Sequence, residues 1–222
     1  MTETVRPEFE MLSVGPFRQH TSLIWMPDTK RGLLIDPGGE SDHLLSLIGQ
    51  RGLTIEAILL THGHLDHAGG ADEMRTRLTE RQNGEHVPVI GPDRRDEFLL
   101  SGITEAAAQF GVTGLRNVKP DSFLTHGDVL ELAGLTLNVK YVPGHTPGHV
   151  IFHCPAGNVM FAGDTLFRGT VGRTDFPYGD GPLLIRSIRE QILPEDDRTI
   201  IIPGHGMPTT IGAEKAENPF IA

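Results

Sequence analysis

The feature that most constrains the fold is a run of metal-ligand side chains placed directly after an apolar strand. Residues 57–60 have the character of a buried strand, which leads into Thr61-His62-Gly63-His64-Leu65-Asp66-His67-Ala68-Gly69-Gly70. Side chains alternate along an extended backbone, so His62 and His64 can face the same way and hold one ion. Asp66 and His67 are adjacent in the turn and helix start that follow. Their position indicates a second ion close to the first.

Three further apolar strands each end in a turn that carries one more ligand directly after a glycine: Pro143-Gly144-His145, Gly163-Asp164 and Pro203-Gly204-His205. The carboxyl ends of strands in open α/β sheets are the usual place for such sites. We predict one pocket with two ions, the first on His62, His64 and His145, the second on Asp66, His67 and His205, and both bridged by Asp164. Imidazole and carboxylate ligands without thiolate suit zinc, with iron or manganese as alternatives. Two cations around one water favour hydrolysis.

The pattern along the chain predicts an α/β protein. Strands are expected at 9–14, 22–26, 33–35, 57–60, 87–90, 135–142, 150–153, 159–162 and 199–202, and helices at 42–50, 71–82, 94 to about 110, and 183–193. The order suggests two similar halves in one domain spanning 1–222, each with a sheet covered by helices on one face. In the third helix an apolar stripe predicts packing on the core, with a substrate lid as the alternative; its members are Phe98, Leu99, Ile103, Ala106, Ala107 and Phe110.

Charge and composition limit the classes of partner that the protein can bind. The formal charge of −10 argues against nucleic acid and anionic membranes, and no apolar run approaches the roughly 18 residues of a membrane span. The lone Cys154 cannot form an intrachain disulfide and is expected to be a partly buried small apolar residue. We therefore expect a cytoplasmic protein that acts on a small molecule. The oligomeric state is left open.

The motifs together resemble the metallo-beta-lactamase-fold hydrolases, specifically the short type II glyoxalase-like (hydroxyacylglutathione hydrolase-like) branch. Besides the ligand turns, the resemblance rests on three further segments: Ile35-Asp36-Pro37-Gly38-Gly39, Gly172-Arg173-Thr174-Asp175-Phe176-Pro177 with Gly179-Asp180, and Asn218-Pro219-Phe220. It implies an αββα four-layer sandwich with a binuclear metal site on its rim and supports the same seven ligands.

The resemblance also implies an activity, the hydrolysis of thioesters such as S-lactoylglutathione by a hydroxide that bridges the metals, with Asp66 and Asp164 as the catalytic carboxylates. Full-length glyoxalase II enzymes continue into a C-terminal helical domain that grips glutathione, whereas this chain stops about 17 residues after His205. We therefore expect that domain to be lacking. Arg173 stands where those enzymes have a Lys that contacts the thiol portion, so it is a candidate substrate anchor; pairing with Asp175 or Asp180 is the alternative.

Other functions compatible with the sequence are an Fe(II)-dependent persulfide dioxygenase, with iron on His62, His145 and Asp164, a lactone hydrolase, and a non-catalytic metal scaffold. An open bridging position disfavours the scaffold, because structural sites are usually closed. His64 argues against the di-iron oxygen-reducing relatives, which usually carry Glu there.

The remaining polar residues leave several expectations. His20 is expected to be exposed, with a place at the pocket mouth as the alternative, and His149 to be a satisfied strand histidine, with support of a ligand as the alternative. Asp36 either holds a ligand imidazole through its distal nitrogen or simply forms a turn. Four histidines are expected at the surface: His43, His86, His126 and His153.

Overall fold

The computed structural model describes residues 5–221 as two facing β-sheets with helices on both outer sides. The first sheet has the order β1-β2-β3-β4-β5, and its strands are β1 (Glu8–Val14), β2 (Gln19–Trp25), β3 (Arg31–Ile35), β4 (Thr54–Leu59) and β5 (Val89–Ile90). The second sheet has the order β13-β12-β9-β8-β7-β6, and its strands are β6 (Val129–Leu132), β7 (Leu135–Tyr141), β8 (Val150–Cys154), β9 (Val159–Gly163), β12 (Ile200–Pro203) and β13 (Thr209–Thr210). A small hairpin joins β10 (Leu166–Phe167) to β11 (Thr170–Val171).

The helices are α1 (Ser41–Arg51), α2 (Leu65–Ala68), α3 (Ala71–Arg81), α4 (Glu97–Ser101), α5 (Ile103–Gln109), α6 (Gly181–Gln191) and α7 (Ile211–Glu217), with short 3-10 turns at Arg94–Asp96 and Pro155–Gly157. Each long helix buries one apolar side, as α1 does with Leu44, Leu45 and Ile48. Among residues 5–221 no helix is long and apolar enough to cross a membrane.

Three apolar clusters define the layers. The inner faces of both sheets form the central cluster, which includes Leu33 and Leu59 from the first sheet and Val139 and Phe152 from the second. A second cluster lies between the first sheet and helices α1 and α3, and a third lies between the second sheet and helix α6. Strand β2 is buried at all seven positions because it is covered on both faces. The protein is therefore the αββα four-layer sandwich that the motifs implied.

Strand direction brings the ligand turns to one edge. Strands β3, β4 and β5 run parallel in the first sheet, and β7, β9 and β12 share one direction in the second. At this edge the sheets are joined by backbone hydrogen bonds: the His20 N–H donates to the Gly204 carbonyl, and the Val150 N–H donates to the Thr61 carbonyl, each at 2.8 Å. The turns after β4, β7, β9 and β12 consequently face one another across the rim.

The predicted strands are confirmed to within a few residues, but the helix expected from 94 to about 110 is broken. It divides at Gly102 into α4 and α5, and its buried side chains are Leu100, Ile103 and Ala107. The predicted stripe is wrong at both ends, since Phe98 and Phe110 are 50% and 64% exposed. The break shifts the helical phase, so these two rings turn outward. Cys154 is fully buried rather than partly buried.

Candidate metal centre

The first three candidate ligand side chains converge from two turns. His62 and His64 lie on extended backbone between β4 and α2, and His145 follows β7. The Nδ1 atom of His64 lies 3.1 Å from Nε2 of His62 and 3.0 Å from Nε2 of His145. These three nitrogens, one from each residue, lie within 4.8 Å of one another. Three imidazole nitrogens that face a common point form a coordination site for one cation.

A second group forms where α2 meets the turn after β12. Asp66 and His67 occupy the first helical turn, and the Oδ2 atom of Asp66 lies 3.2 Å from Nε2 of His205 and 4.0 Å from Nε2 of His67. These three residues form a second potential ligand group with atoms within 4.8 Å of one another. His62 and His67 also lie close, with ring centroids 4.1 Å apart. The two groups are therefore neighbours.

Asp164 contacts both groups. Its Oδ1 lies 3.3 Å from Nε2 of His67, and its Oδ2 lies 3.5 Å from Nε2 of His145 and 3.7 Å from Nε2 of His205. Gly204 leaves room for this carboxylate, because a Cβ on Gly204 would overlap it and would lie 3.1 Å from Nε2 of His67. A glycine before His205 is thus a geometric need of the site.

Buried hydrogen bonds fix the imidazoles from behind. Asp36 directly follows β3 with φ 50° and accepts a hydrogen bond from Nδ1 of His67 at 2.8 Å. The same carboxylate accepts from the N–H of Thr61 at 2.8 Å and from its hydroxyl at 2.6 Å. Nδ1 of His145 donates to the Arg173 carbonyl at 2.7 Å. These bonds set the tautomers of His67 and His145 and aim the Nε2 lone pairs into the site.

Two aromatic residues, Phe176 and Tyr178, lie beside His64 of the first group. Tyr178 places its hydroxyl 2.8 Å from Nε2 of His64, the nitrogen that faces away from the cluster. Its ring stacks on Phe176 at 5.3 Å, and Phe176 in turn lies 4.9 Å from the ring of His64. This stack packs around His64 and holds its orientation.

The electrostatics differ between the groups. Burial lowers the pKa of His62 well below its ordinary value and, with the nearby His145, lowers the pKa of His64 to about 3. Burial opposes protonation of His67 too, but the carboxylates of Asp164 and Asp66 outweigh it and raise that pKa well above the ordinary value. The first group thus consists of neutral imidazoles. In the second group, the carboxylates of Asp66 and Asp164 favour a positive charge close to them.

These observations test whether the residues suit metal ions. Nε2 of His67 and Oδ1 of Asp164 are buried and have no hydrogen-bond partner among the described residues. Buried polar atoms without partners are rare in proteins, and cations that accept both nitrogen and carboxylate oxygen ligands would satisfy them. The pKa of Asp164 is pulled well below its usual range by His67, His145 and His205 although burial opposes this, so it is a carboxylate, the form that binds metal. The residues fit two divalent cations.

Comparison with known proteins places this geometry in a family. The model of the metallo-beta-lactamase superfamily matches residues 14–205. The chain belongs to this superfamily. The hydroxyacylglutathione hydrolase GloC of Haemophilus influenzae is 43% identical over 213 residues, covering 96% of this chain and 97% of that relative.

Solved structures agree. The B3 metallo-beta-lactamase BLEG-1 matches with a TM-score of 0.86 and 34% identity, covering 96% of this chain and 99% of that one. TTHA1623 in a di-iron-bound form matches with a TM-score of 0.82 and 37% identity, covering 96% and 100%. ETHE1 from Myxococcus xanthus matches with a TM-score of 0.75 and 27% identity, covering 96% and 83%. The family resemblance and the fold expected from the motifs are thereby confirmed.

Several single-residue expectations for this metallo-beta-lactamase-fold chain need correction. His20 is buried rather than exposed, because its Nδ1 lies 3.1 Å from the Pro203 carbonyl. His153 is buried as well, 3.6 Å from Glu195, although it was expected at the surface. His43, His86 and His126 are exposed, as expected.

His149 is not the fully satisfied strand histidine that was expected. Its Nε2 accepts a hydrogen bond from the Asp164 N–H at 3.0 Å, and its ring stacks on His62 with centroids 4.7 Å apart. Its Nδ1 is buried and finds no hydrogen-bond partner within residues 5–221. The alternative, support of the ligand residues, describes it better.

For Asp36 and Arg173 the sequence left two alternatives each: holding a ligand imidazole or forming a turn for Asp36, and anchoring substrate or pairing with an aspartate for Arg173. Asp36 holds the distal nitrogen of His67, as described above. Arg173 pairs through Nε and a terminal nitrogen with Asp175, both at 2.7 Å, and its guanidinium lies 4.5 Å from the Phe176 ring centroid. The pair is largely exposed.

Three residues that support the candidate ligands were not predicted from the sequence. Tyr178 lies between residues 172–177 and 179–180, two segments on which the family resemblance rests, so its position was the one sequence feature that could have indicated it. Gln19 is fully buried and places its amide nitrogen 3.3 Å from Nδ1 of His67. Asp96 is fully buried and accepts hydrogen bonds from the Gly63 N–H, the Thr146 hydroxyl and the Gly148 N–H at 2.9, 2.7 and 2.6 Å. Nothing in the local sequence marks Gln19 or Asp96, because their partners are remote in the chain.

Proposed function

We propose that this chain is a metal-dependent hydrolase of thioesters, with S-lactoylglutathione or a related acyl thioester as substrate. The observation that carries the proposal is the Asp164 carboxylate, which touches His145 of the first group and His67 and His205 of the second. The likeness to a hydroxyacylglutathione hydrolase over nearly the whole chain supports this reaction class.

We assign His62, His64 and His145 to one ion and Asp66, His67 and His205 to another, with Asp164 shared. When bound, two divalent cations supply a water of lowered pKa and an electrophile for a carbonyl oxygen. Zinc suits this set of nitrogen and oxygen ligands. Iron is the alternative, because the similar protein TTHA1623 has been solved in a di-iron-bound form.

In the proposed reaction the water oxygen bonds to the acyl carbon while the carbon–sulfur bond breaks. One proton of the water passes to the departing thiolate, so the products are a carboxylic acid and a thiol. No electron is gained or lost. Asp66 is only partly buried. We assign its carboxylate to orient the attacking water by accepting a hydrogen bond from the O–H of that water. Asp36 and the Arg173 carbonyl keep His67 and His145 in place, so the ligand atoms need no reorganisation during the reaction.

The persulfide dioxygenase remains the alternative, because His62, His145 and Asp164 alone could hold one Fe(II) and ETHE1 shares the fold. The completeness of the second group favours the hydrolase, since a mononuclear site has no use for Asp66 and His205 as a pair 3.2 Å apart.

The test uses purified protein with its metal content measured, loaded in turn with zinc, iron and manganese. It is incubated with S-lactoylglutathione while thiol release is followed, and with glutathione persulfide while oxygen consumption is followed. The proposal predicts thiol release with two ions per chain and no oxygen consumption. Oxygen consumption with one iron per chain and no thiol release would establish the alternative.

A further inference from the structure

A cleft opens beside Asp66, between the turn that joins β1 to β2 and the segment that follows α5. Its volume is about 290 Å³, and most of the side chains around it are apolar: Val14, Pro16, Phe17, Val112 and Leu115. The Phe17 ring packs edge to face against Phe110 with centroids 5.5 Å apart. We refer to this space as the Phe17 cleft.

Both walls of the Phe17 cleft are anchored to the framework of the metal centre. The Gly15 N–H donates to Glu40 at 2.8 Å, which holds the β1–β2 turn. The Arg116 N–H donates to the Gly69 carbonyl at 3.0 Å, which holds the opposite wall against the end of α2. The cleft is therefore formed before any ligand arrives, as is usual for small-molecule sites.

The size of the Phe17 cleft indicates that it takes one part of a substrate. Whole small-molecule sites occupy about 300–1,000 Å³, and this cleft lies just below the small end of that range. Asp66, a proposed ligand of the second ion, is one of its lining residues. A group bound in the cleft would therefore lie beside the second ligand group.

The charge of the surface next to the Phe17 cleft indicates which part of a thioester the cleft can bind. Beyond the Phe17 cleft the surface continues into a groove that shares Glu40 and adds four charged or titratable side chains, Asp42, His43, Glu73 and Arg77. The Arg77 guanidinium in this groove is engaged by Asp42 at 2.6 Å and Glu73 at 3.2 Å. An acidic groove repels the carboxylates of a thiol carrier such as glutathione, whereas an apolar acyl chain has no charge to repel.

We propose that the Phe17 cleft binds the acyl group of the thioester and favours apolar acyl chains up to the length that fills it, while the thiol carrier lies on the His64 and Phe176 side. This inference rests on the proposed function. It names the substrate class more narrowly, because the hydroxyl of a lactoyl group finds mainly apolar side chains in the cleft.

The test measures kcat/KM of the metal-loaded enzyme for acetyl-, butanoyl- and hexanoyl-glutathione. Burial of each added methylene is expected to raise kcat/KM about three- to fourfold until the cleft is full. Val112→Trp fills the cleft and is expected to lower the butanoyl and hexanoyl values at least tenfold more than the acetyl value. Val129→Trp makes the same exchange at an exposed site on β6 and should keep the wild-type pattern.

A binding measurement gives a second readout. By calorimetry, hexanoate should bind the metal-loaded protein more tightly than acetate, and Val112→Trp should remove that difference. A flat chain-length series, or an equal loss for all three thioesters in Val112→Trp, would overturn the inference while leaving thioester hydrolysis established. A gain that follows the alkyl chain of the thiol, measured with acetyl thioesters of ethanethiol and hexanethiol, would also overturn it. If no thioester is hydrolysed, the proposed function fails and this inference fails with it.

Discussion

Asp164 contacts both ligand groups through its carboxylate. If its carboxylate bridges two ions, Asp164→Ala should lower the metal content to one ion or less per chain and reduce turnover by on the order of a thousandfold. Metal analysis and thiol release measure the two effects together. Asp175→Ala, an exposed aspartate on a nearby loop, is the control that should keep both ions. An Asp164→Ala protein that retains two ions and most of its activity would show that the bridging assignment is wrong.

Arg173 provides a second test at the residue scale. Its pair with Asp175 is exposed and therefore weakly held, so a substrate carboxylate can compete for the guanidinium. Arg173→Ala should raise KM for an anionic thioester several-fold while changing kcat less, because the anchor binds ground state and transition state alike. Asp175→Ala should lower KM by freeing the arginine. Unchanged KM values in both variants would remove Arg173 from the substrate site.

The candidate ligands are recognisable in the sequence as one dense run after β4, His62, His64, Asp66 and His67, and as three residues that each follow a glycine after an apolar strand, His145, Asp164 and His205. Asp36, which follows β3, was predictable as one of two possibilities. The burial of His20 and the place of Gln19 were not, since each meets its partner across a long stretch of chain. A histidine in polar surroundings gives no sign that a distant carbonyl, here that of Pro203, will bury it.

Among the elements, the short helix α4 is linked to the candidate metal centre through hydrogen bonds of Asp96, the residue that directly precedes it. The carboxylate of Asp96 bonds the turn between His62 and His64 and also the turn after His145. Burial raises the pKa of Asp96 to about 6, although the three hydrogen bonds oppose the rise. Its ordinary value in an unfolded chain is about 3.9.

This shift gives a pH dependence with a definite sign. Between about pH 4 and pH 6 the folded state keeps a proton on Asp96 that the unfolded state releases, so stability falls as pH rises. Relative to Asp96→Asn, which cannot titrate, the free energy of unfolding of the wild type should fall by up to about 3 kcal/mol from pH 4 to pH 7. Denaturant titrations at constant, chelator-controlled metal content measure it. A difference that is constant or rises with pH would contradict the assigned shift.

The long buried strands and helices were predictable because burial imposes a period of two or an apolar face. The edge elements β6, β10, β11 and β13 were not, since β6 buries none of its residues fully and the others are two residues long. Helix α7 had a usable signal, because Thr210 caps it by accepting from the Ala213 N–H. The break at Gly102 could not be placed by periodicity alone, because apolar residues occur on more than one face of that segment.

At the scale of the whole molecule, the ligands come from both sheets, so metal binding should hold the two halves together. Ligands that bind only the folded state add about 2.7 kcal/mol per site at a hundredfold excess over Kd. For a chain of this size each kcal/mol raises Tm by about 2–4 °C. Zinc should therefore raise Tm by at least about 5 °C, and a chelator should reverse the change.

Thermal scans with and without zinc measure this stabilisation. His43→Ala, at an exposed histidine outside both groups, should keep the zinc effect, whereas His62→Ala should lose much of it. An equal zinc effect in wild type and His62→Ala would place the bound metal elsewhere.

The most direct measurement for the two-ion hydrolase is the metal content and activity of His205→Ala. His205 belongs to the second group alone, with its Nε2 3.2 Å from Asp66, and a mononuclear dioxygenase on His62, His145 and Asp164 would not need it. We predict that His205→Ala loses one equivalent of metal and at least about a hundredfold in kcat for thioester hydrolysis. Near-normal persulfide oxidation by His205→Ala with one iron per chain would contradict the hydrolase and establish the dioxygenase in its place.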